Sequence, residues 1–85
     1  MEGIMRGRAS IPQHVRETLG ENIRRERVIR KMTQDELAKK IGTSQMMVSR
    51  FEKGKDSPSV WRCYRIAKVF NTTVEQLLTE KLSFD

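Results

Sequence analysis

The sequence predicts an all-α fold, a compact domain of five short helices in which the second and third form a helix-turn-helix. Apolar residues recur at helical spacing through most of the chain, and no stretch alternates as a strand would. Glycines stand where two of these segments end, at Gly42 and Gly54, which is typical of helix C-termini. Capping boxes indicate helix starts at Thr33 and Thr73. With 85 residues, the chain has room for one domain and one small core.

The composition excludes several classes of protein. No apolar run approaches the roughly 20 residues that cross a membrane, and residues 1–10 lack the apolar segment of a secretory signal, so we expect a cytoplasmic protein. Cys63 is the only cysteine and His14 the only histidine, which excludes an internal disulfide and a zinc site built from several Cys and His ligands. No catalytic motif flanks either residue. We therefore predict no enzyme activity, no metal and no cofactor.

The charge of the chain favours a polyanionic partner. Lys and Arg number 17 against 11 Asp and Glu, which gives a formal net charge of +6. Positive charge attracts nucleic acid by steering and by release of counterions. Many small basic domains carry such charge for solubility alone, so charge supports a nucleic-acid partner without establishing one.

The first helix should begin at Val15 or Glu21 and end near Arg30. Val28 and Ile29 lie off its apolar face, and a simple core does not account for them. The chain as a whole is predicted to consist of a flexible basic arm (1–16), a helix-turn-helix domain (17–80) and a C-terminal tail (81–85).

The second and third helices carry clear start and stop signals. The Thr33 hydroxyl can accept from the amide of Glu36, whose carboxylate can reach back to the Thr33 amide. Gly42 ends the second helix, because glycine adopts positive φ at little cost. Thr43 or Ser44 caps the third helix, which ends at Gly54.

The fourth helix should start at Ser57-Pro58, since proline at the first helical position lacks an amide that the helix does not use. Its buried stripe is predicted to consist of Val60, Cys63, Ala67 and Phe70. Asn71 should end it in a left-handed conformation. Thr73 and Gln76 then begin the fifth helix with a second capping box. The fifth helix is predicted to bury Val74, Leu77 and Leu78.

The second and third helices meet the requirements of a helix-turn-helix. Helices that cross steeply need a small residue where their backbones approach and a turn residue that accepts positive φ; Ala38 and Gly42 supply these. The positions that hold the pair together are Leu37, Ala38, Ile41, Gly42, Val48 and Phe51. The outer face of the third helix then carries Ser44, Gln45, Met46, Ser49 and Arg50. In a basic chain, such a face is suited to the major groove of DNA.

These residues resemble a known family. The matching segments are Thr33-Gln34-Asp35-Glu36-Leu37-Ala38, Ile41-Gly42-Thr43-Ser44 and Val48-Ser49-Arg50-Phe51-Glu52-Lys53-Gly54. Together with Pro58-Ser59 and Ile66-Ala67-Lys68, they are similar to the lambda-repressor-like, or Xre/Cro, helix-turn-helix family over about residues 19–78. The resemblance implies a five-helix domain that binds operator DNA as a homodimer and regulates transcription, in the first instance as a repressor.

The resemblance also implies residue roles. Base contacts would come from Ser44, Gln45, Met46, Ser49 and Arg50. Gln45 suits adenine, Arg50 suits the O6 and N7 atoms of guanine, and Met46 could touch a thymine methyl group. Phosphate contacts would come from Gln34, Lys53 and Lys55. Trp61 could donate its indole N–H to a phosphate or could cover the edge of the core. Arg27 and Glu52 would form a structural ion pair.

Two positions depart from the family pattern. Members often carry leucine where this chain has Glu26, which thins the core of the first helix. They often carry glycine where it has Lys31, so we expect Lys31 to adopt a left-handed conformation at roughly 1–2 kcal/mol.

The homodimer is expected to form through the fifth helix and the C-terminal tail. Leu82 and Phe84 motivate this expectation, because both are apolar in an otherwise polar segment; alternatively they could fold back near Val28 and Ile29.

Two other functions remain open for such a domain. It could be the antitoxin of a toxin–antitoxin pair, which would bind a partner protein as well as DNA. It could also be the controller of a restriction system.

Overall fold

The computed structural model describes residues 11–81, and the all-α class predicted from the sequence is confirmed. This part of the chain contains five helices and no strand. The helices are α1 (Gln13–Ile29), α2 (Gln34–Ile41), α3 (Gln45–Glu52), α4 (Val60–Val69) and α5 (Val74–Leu77). Over these residues, no helix combines the length and the apolar character needed to span a membrane.

Helix α1 begins earlier than predicted. The amides of Val15 and Arg16 both donate to the Pro12 carbonyl at 3.0 Å, which closes the first turn at Gln13. Arg16 also donates from Nη1 to the Ile11 carbonyl (2.9 Å) and from Nε to the Gly54 carbonyl (3.0 Å). Residues 13–16, which we assigned to the N-terminal arm, therefore belong to α1, while the first ten residues of that arm lie outside the described part.

Side-chain caps begin α2 and α3. The Thr33 hydroxyl accepts from the Glu36 amide at 3.0 Å, and the Thr33 amide donates to the Glu36 carboxylate at 2.8 Å, so the predicted capping box is present. Ser44 rather than Thr43 caps α3, since its hydroxyl accepts from the Met47 amide at 3.2 Å.

The predicted start of α4 at Ser57-Pro58 is wrong. Ser59 is the N-cap, because its backbone is extended and its hydroxyl accepts from the Arg62 amide at 3.1 Å. Helix α4 therefore begins at Val60, and Pro58 is buried just before the cap.

Only one of the two hydrogen bonds of the second predicted capping box forms. Thr73 accepts from the Gln76 amide at 3.0 Å as expected. The reciprocal bond does not form, because the Gln76 side-chain oxygen accepts from Lys81 Nζ at 3.2 Å instead.

Left-handed residues end the first four helices. They are Lys31 (φ 54°), Gly42 (φ 74°), Gly54 (φ 70°) and Asn71 (φ 55°). After α1, for example, the Met32 amide donates to the Arg27 carbonyl at 3.0 Å and the Lys31 amide to the Val28 carbonyl at 2.9 Å, which is the Schellman arrangement. The expected left-handed conformation of Lys31 is present, although a non-glycine residue adopts it at a cost.

Apolar side chains from all five helices form one core. Its members are Leu19, Ile23, Leu37, Ala38, Ile41, Val48, Phe51, Cys63, Ile66, Ala67, Phe70 and Leu77. Burial raises the pKa of the Cys63 thiol, which packs here as an apolar group.

Two residues predicted to be buried are not. Val60 is 85% exposed, because it opens the first turn of α4 beyond the edge of the core, and Ile66 occupies the inward position instead. Leu78 is exposed as well, because α5 ends one residue earlier at Leu77.

A buried asparagine fixes α5 against α1. Asn22 Nδ2 donates to the Leu77 carbonyl at 2.7 Å and to the Thr79 carbonyl at 2.9 Å, while its Oδ1 accepts from Arg25 Nη1 at 2.9 Å. These bonds satisfy both carbonyls at the end of a helix too short to be stable alone.

Helix α1 approaches the end of α3 most closely at Gly20. A Cβ atom on Gly20 would lie 2.3 Å from the Phe51 carbonyl oxygen and 2.7 Å from that of Glu52, both backbone atoms that cannot rotate away. The crossing of α1 and α3 therefore requires glycine, a requirement that the sequence pattern did not reveal.

Replacing Gly20 with alanine should lower the free energy of unfolding by about 1–3 kcal/mol, because the helices must separate to admit the methyl group. Without this clash, alanine in the middle of a helix would raise stability by about 0.5–1 kcal/mol. Urea denaturation of the two proteins measures the sign. A raised midpoint for the Gly20→Ala variant would contradict the close approach.

Candidate nucleic-acid interface

Helix α3 presents an exposed face on the side that points away from the core. Val48 and Phe51 are buried in the core, which turns the opposite side of α3 outward. That side exposes Ser44, Gln45, Met46 and Arg50 and half-buries Ser49, the five residues expected to contact bases. Met46 is 67% exposed, so an apolar side chain lies in solvent among polar neighbours. Such an arrangement suits contact with another surface.

The Glu52 carboxylate, at the C-terminus of α3, joins three helices. Its side chain is 3% exposed and accepts from Arg27 Nε at 2.6 Å and Arg27 Nη2 at 3.0 Å. A third donor, Gln34 Nε2, approaches to 3.0 Å. Because Arg27 lies on α1 and Gln34 opens α2, the carboxylate links α3 to both. The hydrogen bond to Glu52 raises the pKa of Arg27 against the opposing effect of burial.

The side chain of Gln34 binds within the protein. Its side-chain amide donates to Glu52 rather than extending freely into solvent. The backbone amide of Gln34 lies in the first turn of α2, where helices leave N–H groups without an intrahelical partner. A phosphate contact at this position would therefore use the backbone amide, while the side chain of Gln34 holds α2 to Glu52.

Arg50 has a partner that the sequence did not suggest. Its Nε donates to Asp56 Oδ2 at 2.5 Å, across the turn that follows α3. Both side chains remain partly exposed. The two residues are six positions apart in the sequence, and the reversal of the chain at Gly54 brings them together.

The segments flanking α3 add cations and aromatic rings. Lys53 and Lys55 are exposed on either side of Gly54. Trp61 is 61% exposed and stacks on Tyr64 with ring centroids 5.6 Å apart, so it lies at the surface rather than over the core.

Arginines of α4 support the turn between α2 and α3. Arg62 donates to the carbonyls of Ile41 (3.2 Å) and Gly42 (3.1 Å), and Arg65 donates to that of Lys40 (3.0 Å). These bonds satisfy carbonyls at the end of α2 and hold the position from which α3 starts. Sequence reasoning missed them, because surface arginines give no pattern that identifies a distant carbonyl.

The expected dimer residues Leu82 and Phe84 lie outside the described residues.

The chain is similar to known proteins in sequence and in fold. A family model described as Helix-turn-helix matches residues 23–77. An uncharacterized HTH-type transcriptional regulator of Archaeoglobus fulgidus is 50% identical over 46 residues, which are 54% of this chain and 66% of that protein. The chain thus spans just under two thirds of that relative's length.

Two solved structures share the fold. The hypothetical transcription factor NHTF from Neisseria has a TM-score of 0.72 and 25% identity, over 84% of this chain and 83% of that one. FeII HppE in complex with substrate has a TM-score of 0.68 and 25% identity over 74% of this chain. That match covers only 37% of HppE, so the likeness is confined to one part of it.

Replacing Glu52 with alanine should lower the free energy of unfolding by about 3–5 kcal/mol, because Arg27 is left partly buried without its counter-charge. Thermal and urea unfolding measure the loss. The matched control is Asp35→Ala, whose carboxylate meets the exposed Lys39 at 3.3 Å and should contribute less than about 1 kcal/mol. Equal stability of the two variants would contradict a structural role for Glu52.

Proposed function

This chain belongs to the helix-turn-helix family, which confirms the lambda-repressor-like resemblance, and on that premise we propose that it is a transcriptional regulator that binds duplex DNA at specific sites. The observation that carries the proposal is the outer face of α3, which is exposed and mostly polar. The Glu52 carboxylate holds this helix in place by accepting hydrogen bonds from Arg27 and Gln34. A helix presented in this way fits the width of the major groove.

Base recognition is assigned to the outer face of α3. Gln45, in the first turn, can bond an adenine through both atoms of its amide, and Arg50 can bond guanine O6 and N7. Met46 supplies an apolar contact for a thymine methyl group. Ser44 and Ser49 complete the face with hydroxyl groups; that of Ser44 already accepts from the Met47 amide and retains its hydrogen for donation.

Phosphate contacts are assigned to the edges of the same face. Lys53 and Lys55 follow α3 and are exposed, as a phosphate ligand must be. The backbone amide of Gln34 would meet a phosphate at the N-terminus of α2, where the helix dipole favours an anion. Exposure of the Trp61 indole supports its N–H as a further donor. Such contacts fix the register of α3 in the groove without reading sequence.

Repression is the form of regulation that we propose. Occupying an operator blocks other proteins from the same DNA, and it needs nothing beyond the DNA contacts themselves. The Archaeoglobus relative carries the description of a transcriptional regulator, which supports regulation of transcription in general rather than the roles of antitoxin or restriction controller.

Replacing either Arg50 or Gln45 with alanine should weaken binding to a selected operator by about 1–3 kcal/mol. Either replacement should also relax the preference at one base pair. Selection of duplexes from random DNA, followed by binding assays on single-base variants, measures both effects. Lys55→Ala is the matched control, since loss of a phosphate contact should weaken all duplexes alike and reduce the salt slope by about one. Unchanged base preference in both the Arg50 and Gln45 variants would contradict the assignment of α3.

A symmetric homodimer completes the proposed function. One helix in one groove buries little surface, whereas a two-fold pair doubles the contacts and reads half-sites about 10 base pairs apart. We assign the interface to α5 and the C-terminal segment, where Leu78 adds exposed apolar surface within the described part of the chain.

Truncation after Lys81 tests the dimer, because it removes Leu82 and Phe84 and keeps the carbonyls that Asn22 binds. We expect the shortened chain to keep its helicity and to lose dimerisation and operator affinity together, as measured by sedimentation and DNA binding. A full-length chain that sediments as a monomer, both free and on DNA, would contradict the dimer.

A further inference from the structure

The turn after α3 returns the chain to the side of Arg50. The Lys55 amide donates to the Arg50 carbonyl at 2.9 Å, and the Gly54 amide donates to the Phe51 carbonyl at 3.1 Å. With Gly54 left-handed, these bonds form a Schellman motif. The next amide, that of Asp56, also points to the Arg50 carbonyl at 3.4 Å. The backbone of Asp56 is therefore held beside Arg50, whose side chain the Asp56 carboxylate contacts.

The ion pair uses one edge of the guanidinium group. Asp56 Oδ2 accepts from Arg50 Nε at 2.5 Å, so the carboxylate lies along the side of the group that carries Nε. The opposite end carries Nη1 and Nη2, whose parallel N–H groups match the O6 and N7 acceptors of guanine. Contact with Asp56 and contact with a guanine therefore engage different donors of the same side chain.

We propose that Asp56 is a positioning residue for base recognition, in which its carboxylate orients the Arg50 guanidinium so that the Nη1–Nη2 end faces the groove. This proposal rests on the proposed function of α3. An arginine free in solvent loses rotamer freedom when it binds a base, and that loss weakens the contact. Pairing with Asp56 restricts the side chain before DNA arrives, so less freedom is lost on binding.

The Asp56 carboxylate also lowers the affinity for duplex DNA in general. It lies next to Lys55, in a segment proposed to approach phosphates, and it repels any phosphate that comes near. This repulsion acts on every duplex alike, and at the selected site the Arg50–guanine contact offsets it. Because a cost common to all duplexes cancels when two affinities are compared, discrimination at one base pair depends on the orientation of Arg50.

Substitution of Asp56 with asparagine tests the proposal, because it keeps the shape of the side chain and removes its charge. The probes are a duplex selected by the wild-type chain, the same duplex changed at the base pair whose preference Arg50→Ala abolishes, and an unrelated duplex. Discrimination at that base pair should fall roughly twofold to tenfold, because the amide oxygen of asparagine is a weaker acceptor for Arg50 Nε than a carboxylate oxygen. Affinity for the unrelated duplex should rise, whereas damage to the fold would lower it.

Two controls separate positioning from a simple change of charge. Glu21→Gln on α1 removes one negative charge at an exposed site and should leave discrimination unchanged. In an Arg50→Ala background, Asp56→Asn should change the affinity for the selected and the unrelated duplex by the same factor, because Asp56 then has no guanidinium to orient. If Asp56→Asn lowers the ratio of these two affinities equally in both backgrounds, the residue does not act through Arg50.

The possible failures are distinguishable. If Arg50→Ala leaves every base preference intact, the proposed reading by α3 fails. If Arg50→Ala abolishes a preference but Asp56→Asn does not weaken it, only the positioning role is overturned. If Asp56→Asn raises discrimination, Asp56 is a competitor that DNA must displace, which also overturns the role. The Arg50 Nε–H signal in nuclear magnetic resonance provides a test on the unaltered chain: it should stay protected from solvent exchange in the DNA complex, and loss of protection on binding would contradict positioning.

Discussion

The Glu52 carboxylate determines the geometry on which the rest of the structure depends. A buried charge is costly unless donors surround it, and here the three donors come from Arg27 on α1 and Gln34 on α2. Because each bond has a narrow range of length and direction, the carboxylate restricts how α1, α2 and α3 can be oriented. The close approach at Gly20 lies at the same end of α3 and acts in the same direction, since a side chain there would force the helices apart. The outer face of α3 follows from these two constraints.

Several arginines of this basic chain bind backbone carbonyls, whereas two lysines beside α3 are exposed. Backbone carbonyls accept hydrogen bonds from Arg16, Arg27, Arg30, Arg62 and Arg65. The planar guanidinium carries several donors in fixed directions, which suits it to bracing loops and helix ends. Lys53 and Lys55 lie exposed beside α3. The net charge of +6 can thus attract a polyanion at a distance, whereas the proposed direct contacts use the few cations around α3.

The sequence predicts the features that depend on residues close together in the chain. Thr33 with Glu36 identifies the start of α2, and the left-handed ends at Gly42, Gly54 and Asn71 follow from residue type and position. The left-handed end at Lys31 was expected only from the family resemblance. The inward faces of α2 and α3 follow from helical spacing. Prediction fails where a distant element decides: Val60 is exposed because no residue among 11–81 packs over the first turn of α4, and Gly20 matters only because α3 crosses there. In the candidate site, the exposed residues of α3 were predictable, but the Arg50–Asp56 pair and the brace from Gln34 to Glu52 depend on how the chain returns on itself.

Methylation interference on a selected duplex tests most directly whether α3 lies in the major groove. Methyl groups on guanine N7 project into the major groove, and those on adenine N3 project into the minor groove. Docking of α3 in the major groove predicts that N7-methylguanine within the contacted base pairs blocks binding, while N3-methyladenine at the adenines of the same segment does not. Interference from N3-methyladenine alone, or from neither modification, would contradict major-groove recognition by this helix.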